Sequence, residues 1–364
     1  MKPVAMTGAG GFLGWHTRVA LRAENADATQ IPVGDYFEPN QALATIDGSP
    51  RLIHLAGVNR GTDQEVASGN VLFAEQIAQT LRAAQTPPPV VVYANSIQAT
   101  NGSVYGDAKL AAAQILEQAA LDVGADFVDV RLPNLFGEHG RPFYNAVTAT
   151  FCHLLAQGQR PEVQQDKELT LLHAQNAADL LTGAVPTDEQ SVLEVTESVS
   201  GLLARLEKIA ATYSTGDIPD VSEPFDRDLF NTYRSYVIDS QTPIKLTRHA
   251  DNRGSFFEII RSHGGDGQSS FSTTEPGISR GDHFHRRKIE RFTVLAGEAT
   301  ISLRRLFTDE TLDFPVTGEA PVAIDMPTGW THKLVNTGAG TLYTSFWTNE
   351  IFDPANPDTI PEAV

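Results

Sequence analysis

Cysteine is almost missing from this chain. Among 364 residues only Cys152 carries a thiol, so no internal disulfide can form, which suits a reducing compartment. Cys152 lies in the apolar run Ala149-Thr-Phe151-Cys152-His-Leu-Leu155 and reads as the core of a helix, not as a nucleophile. Long hydrophobic runs are missing too. No stretch approaches the ~20 apolar residues that a membrane-spanning helix needs. The sequence does not open on a basic segment followed by an apolar one, so export is not expected and the cytoplasm is. Positive charge is scarce: 27 Lys and Arg face 45 Asp and Glu, a net charge of −18. That balance disfavours nucleic acid and anionic membrane surfaces as partners. Lysine is especially rare, 7 residues against 20 Arg. Arg suits bidentate phosphate recognition, but genomic base composition explains the bias more simply.

What is present is a hydrophobic fraction of 41%, ordinary for a soluble globular protein, in a chain long enough for two domains. The first half alternates short β-rich runs with helical patterns. Strands are expected at Val4–Thr7, at Gln30–Val33, at Leu52–Leu55, at Val90–Tyr93 and at Phe127–Val130. Helices are expected over Asn70–Ala84, apolar at Val71, Ala74, Ile77, Ala78 and Leu81, and over Tyr105–Leu121. Strands alternating with longer helices imply βαβ units and a parallel sheet. Between about Ser214 and Pro243 the pattern breaks into a Pro-, Asp- and Ser-containing connector, with a short amphipathic piece near Leu229–Tyr236. After Ile244 short β-like runs alternate with glycine turns, the texture of an all-β barrel or sandwich. The expected division is residues 1–240, with the connector from about 214, and residues 241–364.

Two motifs carry chemistry in the first half. Thr7-Gly8-Ala-Gly-Gly11-Phe12-Leu13-Gly14 follows a strand and opens a helix. Glycines there permit the tight turn and let backbone N–H groups approach a pyrophosphate at a helix N-terminus. Asp35 stands near the end of the next strand. A carboxylate there would accept from a ribose 2′-OH and repel a 2′-phosphate, favouring NADH over NADPH. A misplaced register would instead leave it in an ordinary loop. Further on, Tyr105 and Lys109 lie one turn apart on one helix face, after Ser96 at a strand end. A phenol near its ordinary value of ~10 exchanges protons poorly at neutrality, and a neighbouring ammonium would bring it down. Tyr105 could then protonate the alkoxide formed as hydride reaches a ketone, with Ser96 bonded to the carbonyl.

These segments, with His54-Leu-Ala-Gly57 and Arg131-Leu-Pro-Asn134-Leu-Phe-Gly137, resemble the extended short-chain dehydrogenase/reductases that act on nucleotide sugars. His54-Leu-Ala-Gly-Val-Asn-Arg60, Ser96-Ile-Gln-Ala-Thr100, Ala149-Thr-Phe-Cys152 and Asn349-Glu-Ile-Phe-Asp-Pro354 more narrowly resemble the bifunctional reductase–cupin enzymes of capsular polysaccharide synthesis, the CapF type. The resemblance implies an α/β plus all-β fold, a Rossmann-type reductase followed by a cupin β-barrel. It implies Ser96, Tyr105 and Lys109 as catalytic residues. Gly8, Gly11, Phe12, Leu13, Gly14, Asp35, Leu55, Ala56, Gly57 and Pro133 would meet the dinucleotide, and Asn134 the substrate. It further implies a UDP-linked 2-acetamido-2,6-dideoxy-4-hexulose as substrate, on the route to UDP-N-acetyl-L-fucosamine, reduced at C4 with NADPH, in a homodimer. The chain departs from the pattern where the family carries basic residues, at Gly10 and Asp35, which bears on NADPH.

The last third spells Gly281-Asp-His283-Phe-His285, Glu290, Gly297 and Pro327-Thr-Gly329-Trp-Thr-His332. Residues i and i+2 of a strand share a face, so His283 and His285 can reach one ion. Glu290 and His332 would close the shell, and three imidazoles with a carboxylate suit zinc. These positions match both motifs of a cupin. Asp251-Asn-Arg253-Gly254-Ser-Phe-Phe-Glu258 also resembles the 3,5-epimerases of nucleotide-linked 4-keto sugars. In those enzymes the histidine at this place is a base, so His283 stays open between base and ligand. Arg253 could hold the diphosphate or the sugar, or serve only the turn. The resemblance implies that the cupin epimerises C3 before the reductase fixes C4; the alternative is a cupin without chemistry, used for dimerisation or substrate binding.

Overall fold

The computed structural model describes residues 2–364. Two compact units divide the chain, Met1–Leu135 with Leu169–Thr196, and Phe136–Glu168 with Glu197–Val364. The first unit runs β1 (Val4–Thr7), α1 (Phe12–Ala23), β2 (Ala28–Ile31), α2 (Pro39–Ile46), β3 (Leu52–His54), α3 (Asp63–Ala83), β4 (Val90–Ser96), α4 (Val104–Val123) and β5 (Asp126–Leu132). The five strands form one parallel sheet in the order β2-β1-β3-β4-β5.

Both faces of that sheet are covered, so its strands are apolar on both sides. Alternate residues of β4 go opposite ways. Val91 and Tyr93 join a cluster with Ala74, Ile77 and Leu81 of α3 and Leu116 of α4, while Val92 and Ala94 join Met6, Ile53 and Val130. Burial of each such aliphatic side chain contributes ~1.5–3 kcal/mol. Helix α3 begins well before the expected Asn70. Thr62 caps it, its hydroxyl accepting from the Glu65 N–H at 3.3 Å while the Glu65 carboxylate accepts from the Thr62 N–H at 2.7 Å. Strand β2 ends at Ile31, two residues short of the expected Val33, and Pro32 follows it without an N–H for the ladder.

The second unit holds two five-stranded sheets. One has the order Gln268–Thr274, Leu342–Thr348, Glu290–Ala296, Val322–Met326, Ile244–Lys245. The other has Thr311–Thr317, Glu298–Arg305, Trp330–Asn336, Ser279–Phe284, Ile360–Pro361. All their pairings are antiparallel. Phe292, Val294, Ile324 and Met326 of the first sheet meet Ala299, Ile301, Leu303 and Leu334 of the second in one core.

The connector expected over 214–243 is mostly one helix, Pro224–Gln241, and the compact division does not fall at residue 240. The reason is packing. Ile238 of this helix joins the barrel core, and the buried Arg234 guanidinium donates to the Met326 carbonyl at 3.0 Å. Helix Val199–Tyr213 is tied in similarly, the Tyr213 hydroxyl donating to Asp325 at 2.9 Å. Arg291 meets the same Asp325 through two bonds of 2.6 and 2.9 Å, both residues nearly inaccessible to water. Among the described residues no helix is long and apolar enough to cross a membrane.

Candidate functional site

Strand β1 pairs with β2 on one side and β3 on the other, so the strand order reverses there, and ligands of such sheets bind outside the carboxyl ends at that point. The loop after β1 and the segment Leu55-Ala56-Gly57 after β3 meet at this crevice. Their approach requires glycine. A Cβ on Gly8, whose φ is +69°, would stand 2.8 Å from the Ala56 nitrogen, and one on Gly14 would stand 2.1 Å from the Gly8 carbonyl oxygen. Gly10 faces open space. Gly11 caps α1, which carries Phe12 and Leu13 in its first turn. Beneath the crevice, the Thr7 hydroxyl oxygen accepts from the Leu55 and Ala56 N–H groups, both at 3.1 Å. Its proton then goes to Nδ1 of buried His54, 2.9 Å away, which fixes that ring as the Nε2–H tautomer. Burial, with the Lys109 charge nearby, lowers the His54 pKa to about 3. Thr7 and His54 were not singled out as a pair in the sequence.

Asp35 lies in the one-turn helix Gly34–Tyr36 after β2, exposed to solvent. The backbone beneath it is pinned to α3, where the Gln76 amide bonds both Gly34 N (2.8 Å) and Gly34 O (3.1 Å). Pro133 follows β5, and the Asn134 amide donates to the Thr170 carbonyl at 3.1 Å.

Ser96 ends β4, and Tyr105 and Lys109 lie in the first turns of α4. The Ser103 hydroxyl caps that helix by accepting from Gly106 N at 3.0 Å. A Cβ at Gly106 would stand 2.1 Å from the Gln98 carbonyl oxygen, so glycine lets the helix start press against the turn after Ser96. That places the phenol beside the serine. Burial raises the Tyr105 pKa, and its hydrogen bond with Ser96 pulls it partly back. The expected effect of Lys109 is not among these causes, because its ammonium turns away. It donates to the Ala94 carbonyl at 2.6 Å and sits 4.1 Å over the Tyr93 ring. Burial lowers its pKa to about 7, opposed by Asp129.

In the second unit His283, His285, Glu290 and His332 converge, with ligand atoms all within 4.8 Å of one another. His283 and His332 are register partners in one sheet, while Glu290 opens a strand of the other. A bulge with Gly281 at φ +107° and Asp282 at φ +55° aims His283 inward. Glu290 Oε2 lies 2.9 Å from His285 Nε2, 3.2 Å from His332 Nε2 and 4.0 Å from His283 Nε2. Burial alone would raise the Glu290 pKa, but the His285 and His332 rings packed against it bring it well below the usual carboxylate range. Burial lowers His332, and burial with the neighbouring histidines lowers His283 to about 4.

The set fits a divalent cation. His285 Nδ1 lies 2.5 Å from the Asp358 carbonyl, which can only accept, so Nδ1 carries a proton. In the neutral ring Nε2 then turns a lone pair on the Glu290 carboxylate, an arrangement a cation between them relieves. Both His332 ring nitrogens are buried without a hydrogen bond, and Nε2 faces the same carboxylate. Arg253 lies elsewhere, in the exposed turn of the hairpin His249–Asp251/Gly254–Phe256, where its guanidinium pairs with Asp251 at 2.5 Å. Asp358, 73 residues from His285 in sequence, escaped sequence reasoning. Its only cue is the turn-forming Asn356-Pro357 before it.

The model of the NAD dependent epimerase/dehydratase family matches residues 4–192. The chain belongs to that family. A second model, the polysaccharide biosynthesis C-terminal domain, matches residues 249–360. A UDP-2-acetamido-2,6-beta-L-arabino-hexul-4-ose reductase of Pseudomonas aeruginosa is 30% identical over 98% of this chain and 97% of its own. The capsular polysaccharide assembling protein CapF of Staphylococcus aureus is 30% identical with a TM-score of 0.61, covering both chains completely. The spore coat polysaccharide biosynthesis protein SpsL of Bacillus subtilis is 28% identical over 34% of this chain and 87% of its own. The expected fold class and the CapF-type resemblance both hold across the full length of this chain.

Proposed function

We propose that this protein is a bifunctional nucleotide-sugar enzyme of capsule or O-antigen polysaccharide synthesis. Its second unit is a zinc cupin that epimerises C3 of a UDP-2-acetamido-2,6-dideoxy-4-hexulose. Its first unit reduces C4 with NAD(P)H, giving a UDP-6-deoxy-L-talosamine-type precursor of UDP-N-acetyl-L-fucosamine. The observation carrying this reading is full-length similarity to a 4-hexulose reductase in a chain that keeps Ser96, Tyr105 and Lys109 together and also converges four ligating side chains.

When bound, the dinucleotide supplies a hydride and the divalent ion polarises the C4 carbonyl, acidifying the neighbouring C3–H. His283, His285, Glu290 and His332 would hold that ion. Gly8, Gly11, Phe12, Leu13, Gly14, Leu55, Ala56, Gly57 and Pro133 would receive the dinucleotide, and Asp35 its adenosine ribose. Asn134 and Arg253 are assigned to the substrate. In reduction, Ser96 hydrogen-bonds the C4 oxygen and Tyr105, kept protonated by burial, delivers the proton to it. Lys109, held on the Ala94 carbonyl behind the phenol, binds its proton loosely and adds positive charge beside buried His54. Reduction removes the ketone that makes C3 labile, so it traps the epimerised sugar.

A homodimer and a cytoplasmic setting complete the proposal. Exposed Phe256, Phe271, Ile278, Tyr343, Ile351 and Phe352 give the second unit an apolar surface suited to a second copy. The second reading, a metal-binding unit without chemistry, is favoured by the name of the Pseudomonas protein, which records reduction alone. Incubation with the UDP-4-keto sugar in deuterium oxide, without dinucleotide, separates the two. Deuterium entering C3, and lost in His285→Ala, supports epimerisation. No exchange in the intact protein leaves reduction only.

A further inference from the structure

The strap that ends this chain is built onto the metal cluster. Asp358, 7% exposed and at φ +43°, presents its whole acceptor set to the segment after His285. Its carbonyl takes the His285 Nδ1 proton at 2.5 Å. Its carboxylate accepts from three successive backbone N–H groups, those of Arg286 (2.9 Å), Arg287 (2.9 Å) and Lys288 (2.8 Å). The strap is clamped from the other side. Lys288 Nζ donates to the Pro357 carbonyl at 2.6 Å, and Arg287 donates to the Asn356 carbonyl at 2.9 Å. Immediately beyond, Ile360 and Pro361 pair with Phe284 and His283.

We propose that Asp358 is a positioning residue of the metal centre, locking His285 in the one tautomer and ring orientation in which Nε2 can ligate. The inference rests on the metal reading above and deepens it. One residue fixes the ring through its main chain and the following backbone through its side chain, so the loop between His285 and Glu290 has little freedom to relax. Outer partners of ligating histidines set both tautomer and basicity, and their loss typically weakens metal binding ~10–100-fold.

The test uses the full chain, zinc competition against a chromophoric chelator, and the visible spectrum of the cobalt-substituted protein. Asp358→Asn keeps a side chain that tolerates positive φ, removes the charge and turns one of the two accepting oxygens into an NH2 that cannot accept from these N–H groups. Zinc affinity should fall ~10–100-fold and the cobalt bands should shift, both read on protein that is still folded without metal. Lys288→Met loosens the strap without touching the ring or the carboxylate, and should weaken zinc at least about threefold, since the Pro357 carbonyl beside Asp358 loses its clamp. This variant decides the matter if Asp358→Asn does not fold. Wild-type affinity and an unchanged cobalt spectrum in these variants overturn the clamp while leaving the metal reading standing. A wild-type chain that takes up no zinc overturns the metal reading, and the clamp with it.

Discussion

Replacing Lys109 by methionine should make the first unit more stable and its reductase inactive. Lys109 is 4% exposed, and burial brings its pKa from the ordinary 10.5 to about 7. Moving an ammonium that far costs the folded state about 5 kcal/mol at pH values below 7. The structure offsets part of this in ways methionine cannot. The bond to the Ala94 carbonyl and the position over the Tyr93 ring are lost, and an unpaired buried carbonyl costs ~1–3 kcal/mol. The net gain for Lys109→Met is then about 1–3 kcal/mol at pH 7, or several degrees in the first unit's melting temperature. Its pH dependence has a definite sign. Between pH 7 and 10.5 the unfolded chain keeps the lysine proton and the folded one does not, so raising the pH favours folding of the wild type. The advantage of the variant should therefore be full below pH 7, shrink by ~1.4 kcal/mol per pH unit above it, and reverse about one to two units higher, where only the lost contacts remain. Calorimetry across that range, with dinucleotide oxidation measured in parallel, provides the assay. A variant less stable than wild type at pH 7, or an advantage that grows with pH, refutes the argument that the ammonium is held at a cost.

The other expectations are shorter. Tyr105→Phe should reduce dinucleotide oxidation by ~100-fold or more, with dinucleotide binding retained by calorimetric titration. Asp35→Ala should raise the preference for NADPH over NADH, by about tenfold in kcat/KM if the carboxylate faces the ribose, since ~1.4 kcal/mol is a modest charge effect. An unchanged ratio would return Asp35 to an ordinary loop. Asp325→Asn strands the buried Arg291 and should cost the second unit ~3–5 kcal/mol, read as a fall in its melting temperature while the first unit keeps its own.

The parallel sheet was legible because its strands are apolar on both faces and its helices repeat at 3.6 residues, and both signals are local. The metal cluster was legible for a related reason, since His283 and His285 share a strand-like spacing and His332 sits in its own short motif. What sequence reading lost is what only tertiary partners can explain. Pro224–Gln241 read as connector because of its Pro, Asp and Ser residues, and Asp228, Asn231, Thr232 and Arg234 put polar groups on the face the helix buries. All four are buried, and Asn231 and Arg234 reach carbonyls of the barrel at Arg287 and Met326. The early start of α3 had a signal that periodicity ignores, Thr62 and Glu65 in capping-box spacing. The expected help of Lys109 to Tyr105 failed for a different reason. Helical spacing puts two residues on one face without fixing where a long side chain ends, and this one bends back to a strand carbonyl.

Two buried cations in this molecule show how cost separates structure from chemistry. Arg291 is 2% exposed, yet its guanidinium meets Asp325 through two bonds and Gly216 O through a third, and its pKa is raised. Burial opposes that charge and the partners overcome it, as in a pair that holds helix to barrel. Lys109 is nearly as dry, but its partner is a neutral carbonyl, and the charge of Asp129 only partly opposes the effect of burial. A fold has no structural reason to keep a charge it stabilises so poorly, since methionine would fill the same space. Strongly perturbed groups without a matching partner concentrate where protons move. That contrast supports the proposed reductase centre around Lys109 and Tyr105, while the Arg291–Asp325 pair belongs to the architecture.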